Sequence, residues 1–219
     1  MLHLYALTDH PAQLPSLRGI ADSVLAAVEV NGIDAVFGEA AAGARDTTET
    51  AILAHARVVE ELAGVNEAVL PARLGTPYAN QDALADAVRQ RDAQLRTALE
   101  HVRGCTEMSV RVIGKSNDAT ATPRTGGEYM RGRLEVIRSA ERVVEKIQDA
   151  VGAIVRDSAP QILAAPQFLL SGAYLVPRGA VDSFRSAVET VERDWPELTF
   201  VCTGPWPPYS FALVDGERA

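Results

Sequence analysis

Two alternating stretches, Leu25–Val30 and Ile33–Ala40, meet at the dipeptide Asn31-Gly32. Asn-Gly accepts the positive φ angles of a type I′ turn, the turn whose twist matches that of paired strands. The pattern therefore predicts an antiparallel hairpin early in the chain. Leu2–Thr8, apolar and bounded by Asp9-His10-Pro11, predicts a strand before it.

Helical periods follow. Thr47 or Thr48 caps a segment running to Ala63, with Ile52, Ala56, Val59 and Leu62 on one face and Gly64 as its stop. Asn66–Asn80 opens as a short strand, then Pro71, Gly75 and Pro77 impose turns. Leu84, Val88, Leu95, Leu99 and Val102 share a stripe, which predicts one long helix over Gln81–Gly104. Thr106–Gly114 alternates as a half-buried strand. Residues 115–127 are polar and small, an inserted loop. A second long helix is expected over Glu128–Ala159 on the seam Leu134, Ile137, Val144, Ile147, Val151 and Ile154, halted by Pro160. Phe168–Pro177 reads as one buried strand or as a hairpin turning at Ser171-Gly172. Ala180–Pro196 reads as a helix and Leu198–Gly204 as the last strand.

If Phe168–Pro177 supplies two strands, the order from Thr106 is βαββαβ, the ferredoxin-like unit. The expected fold class is α+β in two domains: residues 1–104, ending in a long connecting helix, and a ferredoxin-like domain with long helices over residues 105–219.

Charge narrows the partners. A net charge of -8 argues against nucleic-acid backbones and anionic membrane surfaces. No apolar run approaches the roughly 20 residues that span a bilayer. The start Met1–His10 lacks a signal peptide's basic region and long apolar core, so a cytoplasmic setting is expected. Cys105 and Cys202 make neither a disulfide framework nor a zinc site. If they open and close adjacent outer strands they come near one another; otherwise they are two separate reduced thiols.

Catalytic signatures are absent, with no phosphate loop and no nucleophile elbow. His55 and His101 lie inside helices, where acid–base work needs a positioned partner that the sequence does not supply; His55 instead has a neighbouring strand to bond. The carboxylates Glu60, Glu61, Glu189, Glu192 and Asp194 fall beside arginines at helix-surface spacing and read as solvated faces. No cofactor or metal is expected. Arg73, between a strand and a turn, either orders its loop or meets an acidic group on a partner. Residues 204–211, Gly-Pro-Trp-Pro-Pro-Tyr-Ser-Phe, form a proline-stiffened aromatic tail. It is either a strap packed on the protein or an exposed ligand for another protein, and an exposed patch of that kind is sticky.

Several of these segments resemble one family. Leu4–Thr8, Ala54–Leu62 followed by Ala68–Tyr78, Val102–Val112, Gly127–Arg133, Gly172–Phe184 and Thr203–Phe211 are similar, in order and spacing, to motifs of the gas vesicle proteins GvpF and GvpL. Leu74 departs from the family's usual Phe, and the 115–127 insertion falls where the family varies in length. The chain's modest length slightly favours GvpF. The resemblance implies a non-enzymatic accessory protein of gas vesicle assembly with a ferredoxin-like C-terminal part. It also implies contact with the hydrophobic shell protein GvpA and with other accessory proteins, and a place as a minor vesicle component. The contact residues expected on that basis are Arg73, Tyr78, Tyr174, Trp206 and Tyr209. The competing expectation is a small-ligand-binding or regulatory domain, which fold alone leaves open. An enzyme built on Arg73 and His55 is the weakest reading, because no nucleophile is partnered.

Overall fold

Asn31 and Gly32 both take positive φ, 53° and 80°, and the hairpin they close is formed by β2 (Leu25–Val30) and β3 (Ile33–Glu39). The turn is pinned from within and from outside the hairpin: Gly32 N–H donates to Glu29 Oε1 at 2.6 Å, and Arg96 donates to the Asn31 carbonyl. The computed structural model describes residues 1–39, 48–114, 125–163 and 168–212. Those residues form two units, Met1–Cys105 with Trp206 onward, and Thr106–Pro205.

In the first unit β1 (Leu2–Asp9) is the central strand, antiparallel to β3 on one side and to β4 (Val69–Pro71) and β5 (Pro77–Tyr78) on the other. Its residues from Leu2 to Thr8 are all buried, because helices cover both faces of the sheet. Helix α1 (Glu49–Val65) sets Val58, Val59 and Leu62 against Tyr5, Val36 and Val69. On the other face, α2 (Gln81–Gln90) and α3 (Asp92–Val102) bring Val88 and Leu95 toward Leu4, Leu7 and Leu70.

Two helix ends differ from expectation. Helix α1 is capped by Thr48, whose Oγ1 accepts from Ala51 N–H, but it runs through Gly64. Asn66 stops it: its backbone N–H and its Nδ2 both donate to the Leu62 carbonyl, while its Oδ1 accepts from Gln13 N–H at 2.8 Å. A side chain that satisfies the last turn and a distant loop outcompetes a solvent-facing glycine. The long helix expected over Gln81–Gly104 is two helices. Arg91 leaves helical geometry (φ -114°, ψ 13°), yet Leu84, Val88, Leu95, Leu99 and Val102 stay buried on one side, so the periodicity carried no trace of the bend.

The second unit has the order β6 (Cys105–Gly114), α4 (Gly126–Val151), β7 (Asp157–Ile162), β8 (Phe168–Pro177), α5 (Val181–Arg193), β9 (Leu198–Trp206). Its sheet runs β7-β8-β6-β9, the strand order of a ferredoxin-like βαββαβ unit. The extra strand comes from an unexpected place. Phe168–Pro177 is one strand, and its hairpin partner is Asp157–Ile162, whose first three residues were expected to end a helix. Helix α4 closes at Val151, with Gly152, Ile154 and Val155 bonding back to the last turn. Pro160, read as a helix stop, sits inside β7, a position an edge strand tolerates because one side of it has no ladder to feed. The buried stripe of α4 is Ala140, Val143, Ile147 and Val151; Leu134, expected in the seam, is 48% exposed. The bulk of the 115–127 insertion lies outside the described residues, and its last two glycines begin α4.

Candidate functional site

The Arg73 segment is framed before it is functional. β4 and β5 pair with the same strand, Leu70 opposite Leu7 and Tyr78 opposite Leu2, so Ala72–Thr76 must leave the sheet and return to it. Gly75 makes the return possible with φ +82°. Thr76 Oγ1 donates to the Arg73 carbonyl at 2.9 Å, and Ala72 N–H donates to the Tyr5 carbonyl at 2.8 Å.

A histidine pair holds the same segment from below. His55 Nε2 lies 3.0 Å from the Ala72 carbonyl, and its Nδ1 lies 2.9 Å from His3 Nε2. A carbonyl only accepts, so His55 carries its proton on Nε2. Neutral His55 then accepts at Nδ1, and His3 donates from Nε2. Both rings are buried, and Tyr5 stacks on His55 at 5.5 Å and meets His3 edge-on at 4.8 Å. Burial, reinforced by its neighbour His55, pushes His3 down to about 4. His55 is lowered as well, burial outweighing the pull of its backbone acceptor. The expectation that His55 bonds a neighbouring strand thus has a specific form, but its partner His3 was not foreseen: 52 residues separate the two, and no local pattern links them.

Above this frame is a cavity of about 200 Å³. Leu4, Leu7, Leu70, Val88 and Leu95 line its apolar part, and Arg73, Thr76, Tyr78 and Arg91 line a polar part of similar extent. The structure therefore brings Arg73 and Tyr78 together at one place and adds Arg91, a residue the sequence hid inside an apparently continuous helix.

The other three candidates separate. Tyr174 is fully buried in the second unit, tilted against Phe184 at 5.2 Å, and its ring fills the space left by Gly172 on the same face of β8. Its hydroxyl has no hydrogen-bond partner among the described residues, and burial, with Cys202 adding to it, pushes its pKa up to about 12. It is a core residue and leaves the contact set. Trp206 and Tyr209 stay at the surface, 45% and 39% exposed, while Pro207, Pro208 and Phe211 are buried. Phe211 lies 6.5 Å from the His101 ring of α3. Burial and the nearby Glu60 of α1 push the Tyr209 phenol up to about 12. The tail is thus a strap on the first unit that holds two aromatic rings outward. Arg185 fixes its approach, donating to the Gly204 carbonyl at 2.8 Å. No disulfide joins Cys105 and Cys202. Among the described residues no group of three His, Cys, Asp or Glu is placed to hold a metal, and no helix is long and apolar enough to cross a membrane.

Residues 1–213 match the family model described as gas vesicle synthesis protein GvpL/GvpF. The chain belongs to that family. Gas vesicle protein F1 of Halobacterium salinarum is 24% identical over 216 residues, spanning 97% of this chain and 93% of its own. Gas vesicle protein L of a Streptomyces strain is 27% identical over 208 residues, spanning 83% and 77%. The crystal structure of GvpF from Anabaena sp. PCC7120 superposes with a TM-score of 0.82 at 19% identity, covering 97% of this chain and 96% of that one. GvpF from Microcystis aeruginosa gives 0.79 at 16%, covering 97% and 99%. The fold is therefore that of GvpF, and membership of the GvpL/GvpF family gives the chain a role in gas vesicle formation.

Proposed function

We propose that this GvpL/GvpF-family chain is a non-catalytic accessory protein that binds the hydrophobic shell protein GvpA, and other accessory proteins, during vesicle assembly. In this reading it works in the cytoplasm and at the vesicle, and takes no cofactor. The supporting observation is the tail: Pro207, Pro208 and Phe211 are buried while Trp206 and Tyr209 are held outward on a rigid backbone. Rigid, half-exposed aromatics give large contact area for little ordering entropy. An apolar shell subunit needs such cover before it assembles. Arg73 and Tyr78 are the remaining proposed contacts.

Co-expression with tagged GvpA tests this. Trp206→Ala with Tyr209→Ala is expected to lower the captured shell protein at least tenfold with the circular dichroism unchanged. Capture at the unaltered level would remove the tail from the interface, and a melted fold would make it a strap alone. The size of this cavity counts against the competing small-ligand reading. This cavity, at about 200 Å³, is below the ~300 Å³ where small-molecule pockets begin.

A further inference from the structure

We infer that the cavity under Arg73 is a socket for one large apolar side chain of a partner protein, with Arg91 pairing a carboxylate next to that side chain in the partner's sequence. The inference rests on the reading of the chain as a protein-binding accessory protein and says what chemistry the bound segment carries.

Size sets the first constraint. A cavity of about 150 Å³ is large enough to admit a benzene ring. The roughly 200 Å³ here suits one leucine or phenylalanine side chain and not a metabolite. Leu4, Leu7, Leu70, Val88 and Leu95 supply the apolar part of the lining, and it is this part that an entering apolar side chain covers, while Arg73, Thr76, Tyr78 and Arg91 remain for polar groups beside it.

Charge sets the second. On α2 and α3, Arg89 pairs with Asp86, Arg96 with Asp92, and Arg103 with both Asp9 and Glu100. Arg91 sits among them at the bend, exposed at the cavity wall, with no carboxylate beside it among the described residues. In a chain of net charge -8 with carboxylates to spare, that unmatched guanidinium beside an apolar hole selects an acidic neighbour for the entering side chain.

Preorganisation is the third. The Ala72–Thr76 part of the wall is fixed by the His55 bond to the Ala72 carbonyl, by Ala72 N–H on Tyr5, and by Thr76 on Arg73. A cavity whose wall is already bonded in place does not lose binding energy to ordering it.

The test uses the full chain labelled with nitrogen-15 and a short blocked peptide, Gly-Ser-Asp-Leu-Phe-Asp-Ser-Gly. One control peptide replaces its two apolar residues with alanine, and a second replaces its aspartates with asparagine. Saturable shifts of the Ala72, Thr76 and Val88 amides are expected with the first peptide, and at least fivefold weaker binding with each control. Ala87→Trp, which fills the cavity from a half-buried wall position, and Arg91→Glu, at an exposed position, are each expected to reduce peptide binding at least tenfold, with circular dichroism unchanged. Equal shifts from the asparagine peptide, or undiminished binding to Ala87→Trp, would overturn the socket. A silent titration alongside intact capture of GvpA would overturn the socket and leave the proposed function standing. Loss of GvpA capture in the tail variant, with the peptide still bound, would do neither harm, because the two sites are then read out separately.

Discussion

The buried histidine pair makes the first unit acid-sensitive in a window where carboxylates contribute little. The perturbation is a pH change from 7.5 to 4.5, and the comparison is His3→Gln. In the fold, neutral His3 donates to His55, which donates to the Ala72 carbonyl. A second proton on the pair places two N–H groups face to face in a site closed to water. His3 keeps its neutral form down to about 4, whereas in the unfolded chain it titrates near 6.5. Between those values the unfolded chain takes up a proton that the folded chain does not. The stabilisation is thus complete above pH 6.5 and is lost as the pH falls toward 4. A shift of 2.5 units at 1.36 kcal/mol each gives about 3 kcal/mol from His3, and His55 adds to it with the same sign. That is a large part of a marginal stability of roughly 5–15 kcal/mol. The amides of β1 belong to the first unit alone, so hydrogen exchange of β1 measured across urea concentrations reports that unit. Gln retains a donor near the His3 Nε2 position but does not titrate. The variant should lose stability at pH 7.5 and fall less steeply than wild type to 4.5, the remaining slope coming from buried His55. If wild type and His3→Gln fall by the same amount over this range, the assignment of the acid sensitivity to the pair is wrong.

Tyr174 offers two changes of opposite sign in the second unit. Tyr174→Phe removes a buried hydroxyl that bonds nothing among the described residues, so thermal melting should show a gain of about 1 kcal/mol, and a loss would reveal a partner for the hydroxyl. Gly172→Ala places a methyl 2.8 Å from the Tyr174 ring, and denaturation should show a loss of about 1–3 kcal/mol; an unchanged midpoint would mean the ring can step aside.

Where the sequence was readable, local chemistry decided the structure. Asn31-Gly32 fixes its own turn, Thr48 its own cap, and the alternation of Met108, Val110 and Val112 its own strand face. The failures share a different cause. Helix α1 ends at Asn66 rather than Gly64 because Gln13, far away in sequence, supplies the other half of the bond. The strand Asp157–Ile162 is polar and contains a proline, and it is a strand because β8 offers it an edge. Arg91 and His3 were invisible for the same reason: each matters through a neighbour that only the fold supplies. Of the proposed contacts, Arg73, Trp206 and Tyr209 are exposed and Tyr78 is half-buried, all in segments whose Pro and Gly content is readable in the sequence. Tyr174 was not distinguishable from them, since an aromatic in a strand faces inward or outward according to register alone.

The proline-rich motifs at Leu70–Tyr78 and Gly204–Phe211 are built on one principle. In each, buried residues anchor a short stretch of backbone, Leu70 and Pro71 in the first and Pro207, Pro208 and Phe211 in the second. Turn chemistry or ring constraint then fixes what lies between, through Gly75 and Thr76 on one side and the prolines on the other. The polar and aromatic groups left at the surface of these stretches are thus presented by backbone that has little freedom left to lose. An enzyme lid or a ligand-closing loop needs the reverse, a segment with few buried anchors that can move. Rigid presentation costs a catalyst its gating motion but lowers the ordering penalty for a protein that must hold another protein's apolar surface. The same physical choice, made in both motifs, favours an escort over a catalyst.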